Sequence, residues 1–213
     1  MIRPQTATGG WNLKRAIKVA SLLLLLAVVA AGSPYLWWEM NYFLTTVTPG
    51  RFYRAKIMPP QRLASLCSDL GIQTVVDLRD TRSKEGAEKR KLLESIAAEK
   101  KALASVGTTY YNVESRQSRS NRVAVQQYLE ILDNTNAWPV LVHCKDGVGR
   151  SGVFTALYLM EYEDQGNIDA LREVAAWKTY RPRGRKNFRH GEGKADFILE
   201  YQTRRDKRAD SPH

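Results

Sequence analysis

The sequence predicts an α/β domain, with a central and mainly parallel sheet flanked by helices, preceded by an N-terminal transmembrane helix. Two observations predict it. Short β-branched and apolar runs alternate with longer segments whose apolar residues recur every three or four positions. Ahead of them lies one uninterrupted apolar run with basic residues on one side and aromatic residues on the other.

The 213 residues allow one ordinary domain plus a short appendage. Hydrophobic content of 43% and charged content of 26% are those of a globular chain and exclude a disordered one. The net charge of +11 favours anionic partners: nucleic acid, a membrane surface or a phosphorylated substrate. Cys67 and Cys144 are too few for a disulfide framework and form no CxxC pair. With only His143, His190 and His213 beside them, no metal-ligand spacing emerges, so neither metal nor other cofactor is expected.

Residues 1–18 are polar and basic, carrying Arg3, Lys14, Arg15 and Lys18. Residues 19–38 form an apolar stretch of 20 residues, long enough to cross a bilayer core, with Trp11 on one side and Tyr35, Trp37 and Trp38 on the other as interfacial belts. A cleaved signal peptide is the alternative, because Val29, Ala30 and Ala31 offer small residues near a cut. The basic residues before the span place the N-terminus in the cytoplasm and the folded domain outside. That orientation sits uneasily with an exposed reactive thiol, which is easier to keep reduced in the cytosol. Residues 39–50 read as a linker, 51–203 as the domain, and 204–213 as a basic, frayed tail.

Within the domain, residues 51–56 read as a strand. Residues 60–70 read as a helix through Leu63, Leu66 and Leu70, stopped by Gly71. Residues 74–78 are a buried strand with paired valines, 84–106 a charged surface helix, and 109–113 another strand. Residues 121–132 form an amphipathic helix capped by Asn121, followed by an apolar strand at 140–143. Helices over 150–162, 168–180 and 195–204 complete the pattern.

The informative segment is Val140-Leu-Val-His-Cys-Lys-Asp-Gly-Val-Gly-Arg-Ser-Gly152. It sets Cys144 at the end of a buried strand and Arg150 six residues later, at the start of a helix. Backbone N–H groups from Lys145 through Gly147, Val148 and Gly149 to Arg150 can curve around one point as an anion nest, helped by the positive helix end. Gly147 and Gly149 permit close approach, and Arg150 offers a planar fork to two phosphate oxygens. The same field lowers the thiol pKa, so Cys144 is expected as a thiolate placed for in-line attack on phosphorus. Ser151 would hydrogen-bond the sulfur and improve it as a leaving group, while His143 would order the loop. Such residues at such spacings arise by chance with odds on the order of 10⁻⁸ per start position.

The segment resembles the His-Cys-x5-Arg-Ser/Thr signature of the cysteine-dependent protein tyrosine phosphatase superfamily, and the stretch from Arg51 to Tyr201 resembles its small, dual-specificity-like members. Phe52-Tyr-Arg-Ala55 and residues 71–79 also resemble segments of bacterial relatives. The resemblance implies a cysteinyl-phosphate intermediate, no metal, and water as the second nucleophile. It also implies a general-acid aspartate about thirty residues before the cysteine, where this chain has none. Asp146, at a place resembling myotubularin-like lipid phosphatases, is one candidate acid and Glu114 the other, although Asp146 serves equally well as a structural loop residue. Asp77 and Arg79, after a strand end, read as scaffolding beside the site.

Three functions follow. The first is a protein tyrosine or dual-specificity phosphatase. The second is a phospholipid head-group phosphatase, supported by the anchor, the basic surface and Lys145. The third is an inactive phosphate-binding module. The expected partners are therefore a phosphorylated protein or anionic phospholipid, and the membrane. No recognised motif organises the basic residues for nucleic acid.

Overall fold

A computed structural model describes residues 15–26, 40–116, 122–176, 188 and 193–209. Strands β1 (Thr45–Thr48), β2 (Phe52–Lys56), β3 (Thr74–Asp77), β4 (Thr109–Asn112) and β5 (Val140–Cys144) form one sheet in the order β1-β2-β5-β3-β4. Only β1 runs antiparallel to its neighbour; β2, β5, β3 and β4 are parallel. Helix α1 spans residues 15–26. It is followed by α2 (Pro60–Leu70), α3 (Gly86–Ala104), α4 (Arg122–Asp133), α5 (Arg150–Tyr162), α6 (Asn167–Ala176), α7 (Gly193–Leu199) and α8 (Arg204–Ala209). The expected α/β architecture is present, and β5 lies at the centre of the sheet.

Side-chain alternation sorts the strands between two layers. Phe52, Val76, Val140, Val142 and Cys144 face a core shared with α4, α5, α6 and α7. Tyr53, Ala55, Val75 and Leu141 face a second core shared with α2 and α3. Phe52 stacks on Tyr158 of α5 at a centroid distance of 4.1 Å, contributing about 1 kcal/mol beyond its burial. Helix α2 ends where Gly71 adopts φ 65°, its N–H turning back to the last carbonyls of the helix.

The chain divides into two compact units, Met1–Asn41 and Tyr42–His213. The second begins earlier than the sequence boundary at 51, because Thr45, Thr46 and Thr48 pair with β2 rather than serving as linker. β-branched residues suit a pleated edge, and the one Pro in that region, Pro49, follows the strand. The C-terminal expectation is corrected twice. Residues 195–204 are not one helix: α7 ends at Leu199, and α8 starts anew behind a cap in which Thr203 N and Oγ1 donate to Asp206 Oδ2 at 2.9 and 2.7 Å. Nor do residues 204–209 fray. Arg204 donates to Glu161 at 2.8 Å and to Asp133 at 2.6 Å, fastening α8 to α5 and α4. Expected cap Asn121 and residues 177–180 of the sixth expected helix lie outside the described residues.

Among the described residues no helix is long and apolar enough to cross a membrane. The span expected at 19–38 is described only to residue 26, where α1 exposes Leu22, Leu23, Leu24, Leu25 and Leu26, each by more than half.

Candidate active site

The C-terminal end of the central strand delivers Cys144, and the chain turns through residues 145–149 into α5, whose first residue is Arg150. Ligands of parallel sheets bind at this edge, where strand ends and helix N-termini meet. Cys144 is 2% exposed, and its Sγ lies 3.4 Å from the Ser151 Oγ. Burial alone would push the thiol up. Arg150, the Ser151 hydroxyl and the backbone N–H groups of Ser151 and Asp146 outweigh it and hold the thiol below its ordinary value. Arg150 is itself steered: its Nη1 donates to the Leu78 carbonyl at 2.8 Å and to that of Ser115 at 3.5 Å, just beyond β3 and β4.

Gly147 makes the turn possible. Its φ is +64°, and a Cβ there would lie 2.7 Å from the backbone N of Lys56 and 2.9 Å from its Cα. Only hydrogen fits between the loop and β2. Gly149 precedes the helix in an αR-region conformation, and Val148 is half-buried between the two glycines.

Alternation along β5 sends His143 to the opposite layer from Cys144. There it is buried, its Nε2 3.3 Å from Glu99 Oε2 of α3 and its Nδ1 3.9 Å from Asp77 Oδ1. Arg79 completes the group, with Nε donating to Asp77 at 2.8 Å and Nη2 2.9 Å from Glu99 Oε1. The Tyr110 hydroxyl donates to Asp77 Oδ2 at 2.6 Å. Burial would lower the His143 pKa, but Asp77 and Glu99 overcome it and raise it. Asp77, also buried, is held below the usual carboxylate range by His143, Arg79 and Tyr110. Asp77, Glu99 and His143 bring donor atoms within 4.8 Å of one another, the spacing of a metal site. The Arg79 guanidinium already supplies a cation to both carboxylates. Asp77 and Arg79, read from the sequence as scaffolding beside the site, bond each other next to His143, and Arg79 also lines the cleft.

The two acid candidates are in different settings. Asp146 is exposed on the loop and lines the cleft above it, as does Lys145. Glu114 is turned to the β3–α3 connection: its Oε1 accepts from the Thr81 N–H at 2.9 Å and from the Thr81 hydroxyl, and its Oε2 pairs with Arg82 Nε at 2.9 Å. The cleft has a volume of about 1050 Å³. Its described lining carries eight basic side chains and three acidic ones, and only Ile57 and Leu92 are large and apolar.

A family model described as "DSP-PTPase phosphatase fused to NAD+ Kinase" matches residues 51–191, about two thirds of the chain. The chain belongs to this DSP-PTPase family of cysteine-dependent phosphatases. Solved structures agree on the fold. TpbA of P. aeruginosa is 19% identical with a TM-score of 0.55, the match covering 76% of this chain and 86% of that one. The core catalytic domain of the PP-IP phosphatase SIW14 from S. cerevisiae is 18% identical at the same TM-score, over 78% and 89% of the two chains. A comparison with curated proteins found no match.

Three residues of this phosphatase escaped the sequence reading. Arg54 is buried on the Cys144 face of β2, in register with Val142, and its Nη1 would lie 3.7 Å from a Cβ on Gly152. Burial pushes its pKa down to about 10, against the opposing pull of Cys144 and Glu173. A charge in the middle of an apolar strand was the available signal. Glu99 continues the stripe of Leu92, Ile96 and Leu103 on α3, so a carboxylate on the inner face of an amphipathic helix was the signal there. Lys194, buried at the start of α7, would meet a Cβ on Gly149 with its Cε at 3.4 Å and its Nζ at 3.6 Å. Nothing in the sequence around Lys194 announces it.

Proposed function

We propose that this chain is a membrane-tethered phosphatase that hydrolyses phosphate monoesters through a cysteinyl-phosphate. The observation that carries the reading is the Cys144 sulfur, which Arg150, the Ser151 hydroxyl and the backbone N–H groups of Ser151 and Asp146 hold below the ordinary pKa of a thiol. Cys144 Sγ attacks phosphorus in line; the S–P bond forms as the P–O ester bond breaks. The leaving oxygen takes a proton from a carboxylic acid. Asp146 is our choice, because it faces the cleft whereas both oxygens of Glu114 are engaged as acceptors. Water then attacks phosphorus and gives its proton to the same carboxylate. The S–P bond breaks, with Ser151 stabilising the departing thiolate, and inorganic phosphate leaves. Arg150 and the loop amides hold the equatorial oxygens throughout.

Protein phosphotyrosine, with dual specificity, is the substrate reading supported by the family's description. The basic, largely non-aromatic lining of the cleft favours a second reading, a multiply charged phosphate ester such as an anionic lipid head group. Exposed leucines on every face of α1 support a tether, and the basic residues before the apolar span at 19–38 support a cytoplasmic N-terminus with the catalytic domain outside. Turnover of p-nitrophenyl phosphate by the full chain, and its loss in Cys144→Ser with the fold intact, tests the mechanism. Wild-type turnover in the variant would remove it.

A further inference from the structure

The bonded ladder between β3 and β4 ends at the pair Asp77 and Asn112. The two carbonyls that receive Arg150 Nη1 lie beyond that end, Leu78 just after β3 and Ser115 shortly after β4. Segments that have left a sheet have no ladder to hold them together, so their separation needs other bonds.

Side chains supply those bonds. Asn112 Nδ2 donates to the carbonyls of Asp77 and Arg79, each at 3.0 Å. Glu114 reaches further along the other segment. Its Oε1 accepts from the Thr81 N–H at 2.9 Å and from the Thr81 hydroxyl, and its Oε2 meets Arg82 Nε at 2.9 Å. Arg82 Nη2 donates back to the Glu114 carbonyl at 2.9 Å, and Asp80 Oδ1 accepts from the Arg82 N–H at 3.1 Å. Charge-assisted bonds thus run both ways between the two segments and close a clasp. The residue after Glu114 is Ser115, which is buried and whose carbonyl holds Arg150. A guanidinium meets a phosphoryl group with a planar fork, so its tilt matters as much as its distance. Anchoring Nη1 on two carbonyls from separate segments fixes that tilt only while the carbonyls keep their spacing.

We infer that Glu114 is a positioning residue for Arg150: by clasping Thr81 and Arg82 it sets the spacing of the Leu78 and Ser115 carbonyls and so aims the guanidinium at the reacting phosphoryl group. This rests on the phosphatase reading and gives Glu114 a role in it other than proton transfer.

The test reads the Cys144 thiol, which Arg150 helps to hold below its ordinary value. Rates of alkylation by iodoacetamide against pH give its midpoint in the full chain and need no turnover. Glu114→Gln removes a negative charge and Arg82→Gln a positive one. Acting directly on the sulfur, the first would lower the midpoint and the second would raise it. Acting through Arg150, both should raise it, by about half a pH unit. In an Arg150→Met background neither should move it. Opposite shifts, unmoved midpoints in the chain that keeps Arg150, or shifts that persist in Arg150→Met overturn the clasp. Turnover of p-nitrophenyl phosphate is a separate arm. Both variants should lower kcat/KM about tenfold, and unchanged values would also overturn the clasp. A wild-type chain that fails to hydrolyse the ester removes the phosphatase reading, and the alkylation pattern then decides the clasp alone.

Discussion

The Ser151 hydroxyl lies 3.4 Å from the Cys144 sulfur, across a turn that begins at the end of one buried strand and closes in the first turn of a buried helix. Two rigid elements therefore fix the pair, and the seven-residue separation in sequence contributes no freedom of its own. The geometry of this turn is the most sensitive part of the site.

Gly147→Ala should expose that sensitivity. The added methyl would have to occupy space 2.7 Å from the Lys56 nitrogen in a backbone conformation that side chains disfavour. The loop should shift by a fraction of an ångström and kcat/KM should fall on the order of 10²-fold, with the far-ultraviolet circular dichroism unchanged. Full activity in the alanine variant would mean that the close approach to β2 is dispensable.

Arg54 should help ionise the nucleophile from behind. Rates of Cys144 alkylation by iodoacetamide against pH give the thiol midpoint, which lies below its ordinary value of 9.0 in the wild-type chain. Arg54→Met should raise that midpoint by about one pH unit, and Arg54→Lys should recover most of it. Equal midpoints in all three proteins would assign Arg54 to packing alone.

His143 makes stability depend on pH in a defined direction. Its folded pKa is raised above the ordinary 6.5 by Asp77 of β3 and Glu99 of α3, with Arg79 opposing and Tyr110 bonded to the same Asp77. A raised value means that the stabilisation is complete below the unfolded pKa and is lost as pH climbs through the folded one. Melting temperature should decline as pH rises above the ordinary 6.5 and through the raised folded value. His143→Asn should flatten the decline and cost about 3 kcal/mol on the acid side, because two carboxylates lose a buried partner. A wild-type profile parallel to that of the variant would contradict the assignment.

Asp146→Asn and Glu114→Gln should separate the acid from its neighbour. Loss of the true acid should slow phenyl phosphate on the order of 10²-fold while p-nitrophenyl phosphate, which needs little protonation on leaving, slows far less. Asp146→Asn should show that pattern. Glu114→Gln should instead loosen the Thr81–Arg82 turn and affect both esters alike.

What could be read from the sequence was what repeats or what has a fixed spacing. The strand before Cys144 and the helix after Gly149 announced themselves by apolar runs around glycines, and α5 has the expected bounds, residues 150–162. The groups that escaped are single residues whose partners come from remote chain. Glu99 meets His143 across 44 positions and Lys194 meets Gly149 across 45, and neither pairing leaves a periodic trace. The C-terminal break was legible in principle. Thr203-Arg-Arg-Asp206 is a reciprocal cap, but the basic residues around it drew attention to charge instead.

Because the pleat of β5 turns neighbours to opposite sides, the proton on residue 143 and the electron pair on residue 144 answer to different parts of the molecule. Substitutions at Glu99 of α3 act on the His143 side of the sheet, and substitutions at Arg54 of β2 or Ser151 of α5 act on the sulfur side. An engineer could adjust the operating range and the reactivity of this protein with two separate dials.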